Sequence, residues 1–266
     1  MPKNALAIEG RSFDSGYEQR FDFPDRRQGP CLRYMIATTP RTGSSYLSHL
    51  LWGTGCLGAP LEYVDFWAEQ SSPALSPSAQ VRRWKRALRT RTSPNGVFGF
   101  KCFLMHLYRL RDTNEPLLDL LEPNAIIYLE RRDKVAQAIS YARAHLTGVW
   151  CKEQVTGANE RVRYSREALE RAERWIDAQA QAWEELFQRL EVEPLRLWYE
   201  DVAAAPAAAV AAVADHLGVE IDPDARIVVP PVMKQSGAEA LAWVAAYEYG
   251  RNTGCTLGVD AQEGVM

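Results

Sequence analysis

Long apolar runs are missing from this sequence. No segment of its 266 residues approaches the ~20 uninterrupted apolar positions that a membrane span needs. The best competitor, Ala203–Ala214, is alanine-rich, short and broken by Pro206, so no stable membrane insertion is expected. The opening stretch MPKNALAIEGRSFDSGYEQR contains no apolar h-region, and no secretory signal is expected from it. Paired cysteines are missing too. Cys31, Cys56, Cys102, Cys151 and Cys255 are scattered, odd in number and without a CxxC spacing. That argues against a disulfide framework or a cysteine zinc site and points to a reducing, cytoplasmic compartment. Nor is there an excess of positive charge: the formal net charge is −3, which argues against broad nucleic-acid binding driven by whole-protein charge.

What is present is the composition of a soluble globular chain, 47% hydrophobic and 24% charged, long enough for one large core. Residues 1–29 are polar and rich in Asp, Arg, Gly and Ser, and read as a flexible N-terminal arm. Residues 30–266 show no repeat and no clean linker, and read as a single domain.

Strand and helix signals alternate along that domain. Apolar runs at Leu32–Thr38, Val97–Phe103, Ala125–Leu129 and Leu195–Trp198 predict strands buried on both faces. A helix is predicted from Ser44 to about Gly53, with Tyr46, Leu47, Leu50 and Leu51 on one stripe. Asp133 offers an N-cap to a helix lined by Val135, Ile139, Ala142 and Leu146. Ser165–Leu190 predicts a long helix whose stripe runs through Leu169, Ile176, Trp183, Phe187 and Leu190. Pro206–Leu217 predicts another, closed by Gly218, and a last amphipathic helix is centred on Trp243 and Tyr247. The basic stretch Arg82, Arg83, Lys85, Arg86, Arg89 and Arg91 reads as a solvated helix face, with contact to an acidic acceptor as the other reading. The fold class is α/β, three-layer, with a central parallel sheet flanked by helices.

Between the first strand and the first helix the chain reads TTPRTGSSYL. Set against the phosphate-binding pattern GxxxxGK[ST], it keeps Gly43 and Ser45 but has Thr38 for the first glycine and Ser44 for the lysine. Backbone donors and a helix N-terminus survive, and Arg41 supplies positive charge from the other side. Such a loop can cradle an anion without being a standard ATPase loop. An ordinary strand-to-helix turn is the plain alternative.

PRTGSS resembles the 5′-phosphosulfate loop of sulfotransferases that use 3′-phosphoadenosine 5′-phosphosulfate (PAPS). The resemblance implies a P-loop-NTPase-like sulfotransferase fold. It makes Arg41 the charge-stabilising residue and Thr42, Gly43, Ser44 and Ser45 the cradle. The segment IIYLERRDKVAQAIS resembles the family's 3′-phosphate motif, with Arg131 or Arg132 and Ser140 as phosphate ligands. LWYEDVAAAP matches a late strand-and-turn element, which makes Glu200 and Asp201 structural.

Many cytosolic sulfotransferases carry Lys-x-His at the end of the second strand. Here GFKCF keeps Lys101 but holds Phe103 in the histidine's place, so the usual imidazole base is absent. The trehalose 2-sulfotransferase-like branch is the better match, through GAPLEYVDF, PNGVFGFK and QAISYARA, in patches from about Arg33 to Asn252. That resemblance implies Glu62 as the base, with Arg41 and Lys101 stabilising charge on the leaving oxygen, and Lys234 in VMKQSG as a donor contact. It also implies PAPS as donor, PAP as product, no metal, a small-molecule or glycan hydroxyl as acceptor, and a homodimer. Ala59 stands where the trehalose enzyme has a second acid, which weighs against trehalose itself. A P-loop phosphotransferase and a non-catalytic PAP-binding protein are the rival readings. His106 could line the pocket, His145 reads as structural, and His49 and His216 have no partner visible in the sequence.

Overall fold

Apolar residues on both sides of a strand bury it only if helices cover both faces of its sheet, and that is the arrangement found. The computed structural model describes residues 16–63, 77–107, 121–150, 162–232 and 238–253. The elements are β1 (Leu32–Thr38), α1 (Ser44–Gly53), α2 (Pro77–Thr90), β2 (Val97–Phe103), β3 (Ala125–Glu130), α3 (Lys134–Thr147), α4 (Arg166–Leu190), β4 (Leu195–Trp198), α5 (Tyr199–Ala204), α6 (Pro206–Leu217) and α7 (Ala238–Thr253). The chain divides into two compact units. One contains residues 1–132 and 179–232, the other 133–178 and 233–266. One of the crossings between them, at residues 178–179, falls inside α4, where a continuous helix leaves no Pro- or Gly-rich linker to read.

In the first unit the four strands form one parallel sheet in the order β2-β1-β3-β4. Strand alternation sends Tyr34, Ile36, Val97, Ile127 and Leu129 to one face, where they meet Leu47 and Leu51 of α1 and Val213 and Leu217 of α6. Met35, Ala37, Phe98, Phe100 and Tyr128 go to the other, against Trp84 of α2 and Trp183 and Phe187 of α4. Trp52 and Trp183 are fully buried. Each large buried side chain of this kind stabilises the fold by roughly 1.5–3 kcal/mol. Gly99, inside β2, has a packing reason. A Cβ there would lie 2.4 Å from Tyr34 Cζ, whose ring crosses the strand so that its hydroxyl donates to Leu57 O at 2.7 Å.

Residues 16–29 are not a loose arm. Phe23 is buried, its N–H donates to Thr90 O, and the acids of this stretch meet the end of α2. Arg86 pairs with Asp22, and Arg89 pairs with Asp25. Arg91 is only 4% exposed and donates to the carbonyls of Gly16 and Glu18 at 2.7 and 3.1 Å while pairing with Asp22 at 2.9 Å. Arg82, Lys85, Arg86 and Arg89 do lie on an exposed face, as expected, while Arg91, just past the end of α2, is the buried staple for residues 16–22. Local composition shows neither partner, because they lie about seventy positions apart.

The second unit has its own core. Ile139 and Ala142 of α3, Leu169 and Ile176 of α4, and Trp243 and Tyr247 of α7 pack together. Asp133 caps α3 as expected, accepting from the Ala136 N–H at 2.9 Å. Two residues depart from the predicted stripes: Leu146 is 48% exposed and Leu190 54%. Both sit in the last turn of a helix, where the core has already ended.

Candidate active site

All four strands run the same way, so their C-terminal ends share one edge of the sheet. From β1 the chain goes to β2 on one side and then crosses to β3 on the other. The helix after β1 covers one face and α4 the opposite face. The ends of β1 and β3 are therefore the topological switch point of the sheet, the place where such sheets bind ligands. Residues 39–43 leave β1 there and Arg131 leaves β3 there. The two segments touch, with Arg131 Nη1 donating to Arg41 O at 3.3 Å.

The loop is built for its shape. Thr38 Oγ1 donates to Leu129 O at 2.8 Å and lies 2.6 Å from Thr42 Oγ1, which reaches Thr39 O at 3.1 Å. Trp183 Nε1 donates to Thr38 O at 3.0 Å from within the core. These bonds fix the take-off of the loop. Arg41 has φ 67°, a left-handed conformation that costs a non-glycine residue roughly 1–2 kcal/mol and persists where the surroundings impose it. Gly43 has φ 78° and forms the N-cap of α1 with no side-chain cap bond, leaving the helix N-terminus to its own amide groups. A Cβ on Gly43 would lie 2.2 Å from Tyr199 Cδ2, so only glycine lets the α5 ring close over the loop. Oriented N–H groups, a helix N-terminus and the Arg41 charge fit a bound oxyanion. The Thr42 hydroxyl is committed to Thr38 and Thr39, so this residue can offer a ligand only its backbone.

The lysine absent from the loop is replaced from the next strand. Lys101 is paired in register with Ile36, and strand alternation points it to the α1 face. Its Nζ lies 3.1 Å from Ser45 Oγ and 2.8 Å from Glu62 Oε1, with the ammonium 4% exposed as a residue and Glu62 15% exposed at its side chain. Glu62, Lys101 and Ser45 thus form one chain of contacts from a carboxylate to the first turn of α1, where the loop ends. The carboxylate is the form that can take up a proton. Burial, with the Glu62 carboxylate adding to it, pushes the Cys102 thiol far up, so that neighbour is inert.

The two arginines after β3 behave differently. Arg131 is half-buried beside the loop, its guanidinium 5.2 Å from the Tyr199 ring centre, and its buried Nε has no hydrogen-bond partner among the described residues. Arg132 is exposed and locked to Asp201 by two 2.6 Å bonds, while its N–H donates to Glu200 at 3.1 Å. The Arg132 hydrogen bond holds the Asp201 carboxyl below its ordinary value. Glu200 and Asp201 thereby tie the end of β4 to the end of β3, the structural role expected of them.

The sequence profile of the family described as Stf0 sulphotransferase matches residues 33–250. The chain belongs to that family. It is a sulfotransferase. Among curated relatives, trehalose 2-sulfotransferase of Mycobacterium tuberculosis is 24% identical over 254 residues, covering 80% of this chain and 93% of the relative. The Mycolicibacterium smegmatis trehalose 2-sulfotransferase is 25% identical over 258 residues with the same coverage. Among solved structures, the sulfotransferase domain from the curacin biosynthetic pathway aligns at 17% identity and TM-score 0.44, covering 79% of this chain and 82% of that one.

In this sulfotransferase the structure brings Arg41, Thr42, Gly43, Ser44, Ser45, Glu62, Lys101 and Arg131 to one edge of the sheet. Ser140 lies on α3 in the second unit. Lys234 lies outside the described residues. His106 is fully buried, with its Nδ1 3.4 Å from the Phe103 N–H, and does not line an open pocket. His49 does have a partner, the Pro230 carbonyl at 2.7 Å from Nδ1. His145 packs edge-on against Tyr141 and Trp150, and burial lowers its pKa, as befits a structural side chain. Tyr199, Trp183 and Tyr17 were not legible as site residues. Their contacts span 45 to 156 positions and follow no local pattern. No group of three or more metal-ligating side chains occurs among the described residues, and no described helix is long and apolar enough to cross a membrane.

Proposed function

We propose that this sulfotransferase moves a sulfuryl group from PAPS to a hydroxyl of a carbohydrate, glycolipid or other small acceptor, with Glu62 as general base. The observation that carries the reading is the Glu62–Lys101–Ser45 contact chain ending at the anion loop. A base and an electrophile's cradle must lie within one substrate's reach, and here a single lysine spans them.

In this mechanism loop 41–45 holds the 5′-phosphosulfate through backbone N–H groups and Arg41. The acceptor oxygen attacks sulfur while its proton passes to Glu62. The bond from sulfur to the bridging oxygen breaks, and that oxygen leaves on the 5′-phosphate of PAP. Arg41 and Lys101 stabilise the charge that gathers on it. Arg131 bears on the loop from β3, and Lys234 is a further donor contact. Arg132 takes the 3′-phosphate, which requires it to exchange the Asp201 carboxylate for the phosphate.

Both named relatives act on trehalose, which supports a carbohydrate acceptor. Trehalose itself is disfavoured: Ala59 is fully buried, and its carbonyl is capped by the Tyr63 hydroxyl, so no second carboxylate stands there. Calorimetry decides the donor. PAP binds without metal and ATP with Mg²⁺ does not; the reverse result makes the protein a phosphotransferase. Binding of PAP with no transfer to any acceptor makes it a non-catalytic PAP-binding protein.

A further inference from the structure

We propose that Tyr17 is a positioning residue for the catalytic carboxylate; the proposal rests on Glu62 being the base. The Tyr17 hydroxyl engages both peptide groups of Glu62. It donates to Glu62 O at 3.1 Å and accepts from the Glu62 N–H at 3.0 Å. Glu62 follows a tight turn at Pro60, closed by the Leu61 N–H donating to Ala59 O at 2.8 Å, and the segment is tied to β2 where Leu61 O accepts from the Lys101 N–H at 2.9 Å. The peptide groups of Glu62 itself are held by Tyr17. One phenol thus fixes the backbone of the residue that carries the proton chemistry.

The clamp is itself anchored. The Arg91 side chain holds segment 16–22 through the Gly16, Glu18 and Asp22 oxygens, and the Arg91 carbonyl accepts from the Ala59 N–H at 3.1 Å. One buried residue therefore fixes both partners of the Tyr17–Glu62 contact. The Tyr17 ring is packed independently of its hydroxyl. It lies edge-on to Tyr63 with centroids 6.3 Å apart, and the Arg83 guanidinium sits 5.8 Å from its centre. Deleting the hydroxyl leaves that packing in place and frees the Glu62 peptide plane to rotate, which swings the carboxylate away from Lys101 and from the acceptor oxygen. Displacements of about 1 Å at a reacting group cost up to a hundredfold in rate.

The test is a cycle of Tyr17→Phe and Glu62→Gln, read by steady-state transfer from PAPS and by calorimetry with PAP. Tyr17→Phe is expected to lower kcat about tenfold. PAP affinity, KM for PAPS and the melting temperature should stay near wild type, and the acid limb of the kcat–pH curve should move. In the Glu62→Gln background the same change is expected to cost nothing further. Wild-type kcat in Tyr17→Phe while Glu62→Gln is inactive overturns the positioning role and leaves the base assignment standing. An equal loss in both backgrounds also overturns it, because the hydroxyl then acts elsewhere. Full activity of Glu62→Gln overturns the base assignment, and the positioning role falls with it.

Discussion

Replacing Gly43 with alanine tests the loop's construction. Two costs follow from the structure. A left-handed φ of 78° in a non-glycine residue costs roughly 1–2 kcal/mol. The new methyl carbon would lie 2.2 and 2.5 Å from Tyr199 Cδ2 and Cε2, an overlap that must push the ring aside. Such overpacking costs about 1–3 kcal/mol, for a total of roughly 2–5 kcal/mol. For a protein of this size that lowers the melting temperature by roughly 5–15 °C. The displaced ring no longer supports Arg131, so PAP affinity should fall about tenfold or more, a loss of roughly 1.4 kcal/mol or more. Scanning calorimetry and PAP titration read both effects. Tyr199→Ala in the same chain supplies the control. The double variant should be less destabilised than the sum of the singles by about 1–3 kcal/mol, since the overlap is gone. A Gly43→Ala protein that melts within about 1 °C of wild type, or strict additivity in the double variant, would refute the reasoning.

Other consequences are as direct. Arg41→Ala should weaken PAP binding or slow turnover by about tenfold or more, measured by titration and steady-state kinetics, as expected for one charged donor at a developing anion. Asp201→Asn should tighten PAP binding a few-fold by freeing Arg132, while Arg132→Ala should weaken it about tenfold, a difference of roughly 1.4 kcal/mol for the latter; equal affinity in both variants would make Arg132 a structural latch only. Arg91→Ala should destabilise by about 2–4 kcal/mol, because it leaves Asp22 to Arg86 alone and removes the donor from three backbone carbonyls, and denaturant unfolding checks this. Glu184 is held below its ordinary 4.5 by the Arg196 hydrogen bond. A depressed carboxylate contributes stability above its unfolded value and loses it as pH falls through the folded one. Wild type should therefore lose stability more steeply than Arg196→Ala below about pH 4.5, and high salt should shrink the difference because the pair is exposed.

Short-range signals were readable where one element decides the outcome. The bounds of β1, β2, β4 and α6 and the Asp133 cap follow from local runs, from Pro206 at a helix start and from an N-cap aspartate. Arg41 and Gly43 were nameable because a glycine before a helix and a charge in the preceding loop are local facts, whereas Lys101 was nameable through the family resemblance of GFKCF. What failed was decided by distant partners. Arg91 looked like one more basic residue of a helix face until Gly16, Glu18 and Asp22 closed around it. Leu146 and Leu190 keep the helical period, but period does not say where a core stops. Arg131 and Arg132 are adjacent and chemically alike; only the neighbours, Arg41 and Tyr199 for one and Asp201 for the other, separate them.

The central claim is that Glu62 takes the acceptor's proton beside a PAPS-binding loop. The most direct measurement compares wild type and Glu62→Gln for transfer of radiolabelled sulfate from PAPS across a panel of carbohydrate hydroxyls, with PAP binding measured on the same preparations. The account predicts labelled product from wild type, and at least a ~100-fold lower rate from Glu62→Gln with PAP affinity retained. A Glu62→Gln protein that sulfates the same acceptor at the wild-type rate would contradict it.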